Sequence, residues 1–539
     1  MKCAAGPYAW TCLLFGILWA ASICGCSCGD DDDDSGGGDD DASDDDDDDD
    51  AADDDAVDDD SDDDATGGPT VVDISPPDGA KDQRLLTVVT VTFSEAMDAA
   101  SVEDLFDTGS VAGSFSWDAS GEILTFTPDE ALDEETTYNF ALGAGALAQD
   151  GDAMAADETF AFTTVDLWTR TWNSDAGDID RGLGLAVDAA NGALVAGITM
   201  SDTESQNMLY QLWNASGNNV WSYGHDGGYE GYDAGWAIAP TDDGGFVVAG
   251  DITDSSGDNF ASLRRYDALE DFVWEISFDG GNGGDNAAKD VTVDADGYIY
   301  ATGFIDVEFE SSNIWVGKYD SDGDEEWFET VNGSADSYDN GLSIAVDGDG
   351  NVYAAGLITE TGEEANAWVR KYDPDGTKVW THIYNNDDQN LEDEAHGIAV
   401  DAENNVYVTG MTMNGVSNAD IWTRKLDVDG DEQWTVTEAG SADSADRGKA
   451  IAVGLDGALY GVGWLVTTAG GYDILVRRYD AQTGDEIWTD LEDIDSEELA
   501  YDVALDSAGN IYVVGEVDAS GEGTNVWLRK YDPDGYWAE

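Results

Sequence analysis

Seven times along the chain a short aliphatic or aromatic segment ends in glycine: Leu194 to Gly197, Phe246 to Gly250, Ile299 to Gly303, Val352 to Gly356, Val406 to Gly410, Leu459 to Gly463 and Ile511 to Gly515. Those glycines lie 53, 53, 53, 54, 53 and 52 residues apart. A period this regular marks a tandem array, because a unit of about 50 residues cannot bury both of its apolar faces alone and must stack them on its neighbours. Residues 166–539 therefore read as one assembly of seven units.

One unit resolves into four strands. Leu342–Val346 is the first, a turn over Asp347–Asn351 leads into Val352–Ala355, Ala367–Tyr372 is the third, and a turn over Asp373–Gly376 leads into Lys378–Trp380. Asp and Gly suit both turns: the carboxylate accepts backbone hydrogen bonds locally, and Gly tolerates positive φ. Four short strands at this period predict an all-β chain ending in a seven-bladed β-propeller. A Trp at the end of the fourth strand recurs as Trp172, Trp221, Trp274, Trp327, Trp380, Trp434, Trp488 and Trp537, eight copies for seven blades. With two residues after Trp537 the last blade has no room for its own outer strand. Segment 167–172 is expected to fill that place and close the ring, which removes two exposed sheet edges. The Gly-Asn turn, Tyr-Val-x-Gly strand, Lys-Tyr-Asp, x-Asp-Gly turn and terminal Trp of most blades resemble the SBBP family of bacterial β-propeller repeats. The first blade departs from it, with Leu212-Trp213-Asn214 at the Lys-Tyr-Asp position.

The bases fall in phase with the repeat. Arg264, Arg265, Lys318, Arg370, Lys371, Arg424, Lys425, Arg477, Arg478, Arg529 and Lys530, 11 of the 20 Lys and Arg, occupy one place in blades two to seven. An acid opens each inner strand: Asp180, Asp233, Asp285, Asp339, Asp393, Asp446 and Glu498. One reading makes either ring an ion site near the channel mouth; the other, inter-strand charge pairing repeated with the blade, is favoured because a residue present in every blade serves what every blade needs. A ligand site should instead break the symmetry.

Two Asp-rich turns could hold calcium, through Asp320, Asp322 and Asp324 or through Asp427, Asp429 and Asp431, yet neither has EF-hand spacing and hairpin chemistry explains both. Asp480 to Trp488 looks like the tryptophan-docking motif of quinoprotein propellers, but the folded part has no vicinal Cys pair to accompany a quinone. The histidines His225, His382 and His396 share no motif, and no nucleophile elbow is present, so no cofactor and no catalytic residue is expected.

Residues 69–165 alternate in short strands with Gly, Asp and Pro turns, which predicts a β-sandwich. Ser75-Pro76-Pro77-Asp78-Gly79, Phe93 to Met97, Phe126-Thr127-Pro128, Thr137-Tyr138 and the closing Phe160 to Thr164 resemble the bacterial Ig-like domain named after the S-layer protein SbsA. That resemblance implies a spacer or adhesive module whose signature residues are structural. Residues 1–25 read as a lipoprotein signal peptide: Lys2 precedes an apolar run too short to span a membrane, and all five cysteines lie in the first 28 residues. Ile23-Cys24-Gly25-Cys26 resembles a bacterial lipobox, which implies lipidation at Cys26, and Ser27 after it favours the outer membrane. Residues 26–68 follow as an acidic linker with 24 Asp between positions 30 and 64, a composition expected to stay disordered and extended.

A net charge of −99 argues against nucleic acid and against electrostatic docking on anionic lipid. The expected protein is a monomeric, non-enzymatic cell-envelope lipoprotein, held to the outer membrane or cell surface by its acyl chains and displaying a propeller to a protein or glycan. The alternatives are an inward-facing periplasmic scaffold and a propeller enzyme.

Overall fold

The computed structural model describes residues 68–539, apart from 175–178, 201–204, 228–230, 282, 336, 387–390, 416–417, 442–443, 455, 469–470, 493–497, 520–522 and 538–539. The signal peptide, Cys26 and nearly all of the acidic linker lie outside the described residues. Among the described residues the regular structure is strand apart from one helix, Ala99–Leu105, capped by the Asp98 carboxylate at Ser101 N.

The first domain is a sandwich of two four-stranded sheets. One is ordered Val71–Ser75, Val89–Phe93, Ile123–Pro128, Gly113–Trp117; the other Ala80–Gln83, Glu158–Thr164, Thr137–Leu142, Phe106–Asp107. Alternation buries one face of each sheet, and Phe106, Phe126, Phe140 and Phe160 meet between them with ring centroids 5.3–6.4 Å apart.

Beyond it come seven four-stranded antiparallel sheets, each made of consecutive strands except the last. The fourth unit is Asn340–Val346, Val352–Thr359, Ala365–Tyr372 and Lys378–Tyr384, the four strands expected, each extended by a few residues. The first strand of each sheet packs beside that of the next, and the seventh beside the first, so the sheets form a closed cycle.

The seventh sheet takes its fourth strand from Trp168–Trp172, paired with Gly523–Tyr531. Its register corrects the tryptophan series. Trp168, not Trp172, lies opposite Lys530, as Trp380 lies opposite Lys371 and Trp434 opposite Lys425. Trp172 sits at the other end of the strand, opposite Val526. The period agrees, since Trp168 precedes Trp221 by the same 53 residues that separate Trp221 from Trp274. Trp537 follows the last strand, and the Arg529 guanidinium lies 3.8 Å from its ring centroid.

These tryptophans join neighbouring sheets. The indole N–H of Trp274 donates to Ser321 O, Trp327 to Pro374 O, Trp380 to Val428 O, Trp434 to Ala481 O, Trp488 to Pro533 O and Trp168 to Ala215 O, at 2.9–3.3 Å. Each acceptor lies in the turn that follows the third strand of the next unit. At Gly376, where φ is +83°, a side chain would also strike the Trp327 ring. The docking read in the sequence at Asp480–Trp488 alone is thus a device of six of the seven junctions.

The in-phase charges are corrected as well. The first-strand acids Asp233 and Asp339 serve backbone N–H groups at the loop end. Asp233 is buried and accepts from Gly227 N (2.6 Å) and Thr253 N (2.7 Å), and Asp339 does the same with Gly333 N and Thr359 N. Burial raises the Asp233, Asp393 and Asp446 carboxyls even so. In the third unit the role falls to Asn286, with Asp285 exposed beside it, so the acid at 285 was one residue out of phase. Of the bases, Arg370, Arg424 and Arg477 donate to fourth-strand threonines, and Arg477 and Arg529 pair with Glu438 and Glu492 of the preceding sheet. Lys318, Lys371, Lys425 and Lys530 lie over the second-strand Tyr300, Tyr353, Tyr407 and Tyr512.

Candidate functional site

The repeated glycine explains how a cavity wall forms. A Cβ on Gly303 would lie 2.0 Å from Ala287 O, and the equivalent contact at Gly197, Gly250, Gly356, Gly410, Gly463 and Gly515 is 1.8–2.1 Å. Only glycine lets the second strand approach the first this closely. Beside that contact every first strand carries a β-bulge, which turns one residue out of the ladder. The seven bulge residues are Leu183, Trp236, Lys289, Leu342, His396, Lys449 and Tyr501. All seven line one cavity of about 740 Å³ at the centre of the cycle. None of the in-phase bases and none of the strand-opening acids lines it. The symmetry break expected of a ligand site is here, where units alike elsewhere place two lysines, a histidine, two aromatics and two leucines.

The bulge lies three residues after the strand-opening acid, hence toward the face carrying the connections between second and third strands and between successive units. Two more variable positions ring this loop end. Trp236 Nε1 donates to Asp251 (2.5 Å), and the Lys289 ammonium stands 3.2 Å from the Trp236 ring centroid and 5.7 Å from that of Phe304. Tyr501 donates to Glu516 (2.9 Å), which Arg181 also meets at 2.5 Å. Lys449 lies 5.8 Å from the Trp464 ring centroid, and Arg447 is 3.8 Å from Glu394. Among the described residues neither the Lys289 nor the Lys449 ammonium has a hydrogen-bond or ion-pair partner. Burial lowers both, Lys449 to about 8, while burial raises Asp251.

His396 carries a constraint of its own. Its Nδ1 is 2.7 Å from Gly448 O, an acceptor, so Nδ1 bears a hydrogen; its Nε2 is 2.5 Å from Glu394 Oε2. Burial lowers the His396 imidazole below its ordinary value, with the Glu394 carboxylate opposing the shift. Glu394 is held at about 2 by His396, Arg447 and Lys449 against its burial. Further along, Asp290 accepts from Ile344 N (2.8 Å) and Asp502 from Leu185 N (2.7 Å), each tying its sheet to the next. Burial raises these carboxyls to about 6 and about 7. Much of the remaining wall is aliphatic, with Ala186, Ile238, Ala345 and Val400 among its residues, and Thr292 and Ser343 interrupt it.

At the two calcium candidates the first aspartate of each turn accepts backbone hydrogen bonds. Asp320 accepts from Asp322 N and Asp324 N at 2.9 Å, and Asp427 from Asp429 N (3.1 Å) and Asp431 N (2.9 Å), the hydrogen bonds of an ordinary Asp turn. Among the described residues no group of three His, Cys, Asp or Glu could hold a metal, and no helix is long and apolar enough to cross a membrane. His225 and His382 lie on outer strands. Lys289, His396, Lys449 and Tyr501 escaped sequence reasoning, although aligning the seven units on their glycines would have exposed a column of unlike residues beside a column of identical ones.

The sandwich meets the opposite face. Leu85 N donates to Asp532 (3.1 Å) and Arg84 pairs with Asp456 (3.2 Å). Asp456 lies in the first hairpin turn of the sixth unit and Asp532 in the last turn of the seventh. Both turns project from the face away from the loop end of the cavity.

The bacterial Ig-like domain family Big_5 matches residues 65–164. No curated protein matches the chain. Similar solved structures include a Bacteroides caccae protein of unknown function (12% identity, TM-score 0.35, covering 51% of this chain and 87% of that one). Drosophila Plexin A in complex with Semaphorin 1b is similar at 10% identity and TM-score 0.40, covering 67% and 86%. The quinohemoprotein alcohol dehydrogenase of Comamonas testosteroni is similar at 12% and 0.39, covering 82% and 79%.

Proposed function

We propose that residues 166–539 form a seven-bladed β-propeller of the SBBP type, and that the protein is a non-enzymatic, lipid-anchored component of a bacterial cell envelope that displays this propeller to a protein or glycan partner. One observation carries the reading. The Ig-like sandwich docks on the turn face, at Asp456 and Asp532, and the bulge residues diverge at the opposite, loop face. A bacterial Ig-like module and an acidic, extending linker before it support a role in spacing and display.

Limited proteolysis of intact cells tests it. Cleavage of the propeller while a periplasmic control protein survives is the expected result. Full protection of the propeller, with cleavage only after the outer membrane is opened, would overturn surface display.

A further inference from the structure

We propose that the loop end of the central cavity binds a small organic monocarboxylate, its acid group held by the Lys449 and Lys289 ammonium groups and its apolar body lying along the aliphatic wall. This rests on the reading of the loop face as the binding face and names the ligand class it takes. Three observations lead there. First, among the described residues two ammonium groups without a carboxylate or carbonyl partner line the cavity, on the third and sixth units: Lys289 meets only the Trp236 and Phe304 rings, and Lys449 only that of Trp464. An acidic ligand between them supplies the missing acceptor.

Second, at the loop end the charge count favours one negative charge, and Asp290 and Asp502 deeper in the same cavity disfavour any more. Arg181 is matched by Glu516, Arg447 by Glu394, and Lys289 faces Asp251 across Trp236, which leaves Lys449 as the surplus. A dianion would add an unmatched charge inside a molecule of net charge −99. A polyanion would be repelled by the whole surface before reaching the site. Third, the cavity of about 740 Å³ has its cationic side chains at the loop end, while the wall beyond is largely aliphatic and its two carboxylates, Asp290 and Asp502, are engaged by backbone N–H groups, a layout suited to a ligand with one charged end. Four of the nine bases outside the third-strand positions stand here, in a chain with only 20.

The test uses the full-length protein, titrated calorimetrically with hexanoate, benzoate and glucuronate, with hexanamide and benzamide as neutral counterparts and sulfate as the dianion. Saturable binding of at least one carboxylate is expected, at least tenfold tighter than its neutral counterpart and than sulfate. Lys449→Met should weaken it at least tenfold, Lys449→Arg should restore part of it, and Lys378→Met, on an exposed fourth-strand position, should leave it unchanged. Thermal melts establish that each variant is folded, and Lys449→Gln replaces the Met variant if that one is not. Glucuronate binding alone would place the acid on a glycan end; hexanoate or benzoate binding would place it on a free organic acid. The proposal is overturned if no carboxylate binds, if the neutral counterparts bind equally, or if Lys449→Met binds unchanged. Carboxylate binding in a propeller that proves protected on intact cells would overturn surface display and keep this site. Cleavage on cells without carboxylate binding would do the reverse.

Discussion

The carbonyl oxygen of Ala287 lies where a side chain on Gly303 would have to be, 2.0 Å from an ideal Cβ. The same contact recurs around the cycle, so the glycine that sets the sequence period also turns Lys289 and its six counterparts into the cavity. Repeat signature and candidate site are one backbone feature. Gly303→Ala must push two paired strands apart, and the neighbour it meets is backbone, which cannot rotate away. Destabilisation of roughly 1–3 kcal/mol is expected, the range of core overpacking. Denaturant unfolding measures it, and a cost below about 0.5 kcal/mol would mean that the strands are less tightly apposed than described.

The tryptophan junctions should differ in strength. Ala481 O receives Trp434 Nε1 (3.3 Å), Lys425 Nζ (3.1 Å) and Tyr407 OH (3.4 Å), so loss of the indole leaves it satisfied. At the closing junction, Trp168 is buried and donates to Ala215 O at 2.9 Å, while Gly217 packs on its ring. Trp168→Phe is expected to cost about 1 kcal/mol more than Trp434→Phe, the worth of one net hydrogen bond and its packing. Equal effects in thermal unfolding would argue that ring closure has no special dependence on Trp168.

Much of this fold was legible because it repeats. Strand number, turn positions and closure by the N-terminal strand follow from a spacing that no single unit could reveal. The register of that strand did not follow, because two tryptophans four residues apart compete for one place and only the pairing with Lys530 decides between them. The site was hidden for a related reason. A bulge is a property of two strands together, so nothing local to Lys289 or Lys449 tells a solvent-facing lysine from one turned into a cavity. The acids misled in the opposite way: their regular spacing suggested charge pairing, whereas they bind backbone N–H groups at the ends of the inner strands.

Two carboxylates at the junction of the sandwich with the ring should behave oppositely. Asp456 pairs with Arg84, both of them more than one-third exposed, an arrangement worth about 0–1 kcal/mol. Asp532 is fully buried and accepts from Leu85 N, Asp534 N and Tyr536 N at 2.9–3.1 Å. Arg84→Ala is expected to change unfolding little. Asp532→Ala strands three backbone donors and should cost roughly 2 kcal/mol or more. Protease sensitivity of the segment around Leu85 would report the same loss locally, and an Arg84→Ala effect exceeding that of Asp532→Ala would refute the assignment.

Asp502 gives the chain a pH dependence of unusual sign. Its carboxyl is raised from 3.8 to about 7, first by burial and then by the Asp290 charge, against hydrogen bonds from Leu185 N and Val503 N. Between about pH 4 and pH 7 the folded state keeps a proton that the unfolded state releases, so this group's contribution falls as pH rises through that window and is flat above it. The amide of Asp502→Asn mimics the protonated acid and keeps an oxygen for Leu185 N, 2.7 Å from the native carboxylate. The variant should therefore match the native chain at pH 4 and exceed it at pH 8, by an amount of the order of 2 kcal/mol once water in the cavity is allowed for. The difference between variant and native melting curves isolates this group from acids such as Asp118, held at about 2 by its turn hydrogen bonds, whose contribution runs the other way. A variant less stable than the native chain at pH 8 would show that Asp502 is ionised and needed in that form to join the first and seventh sheets.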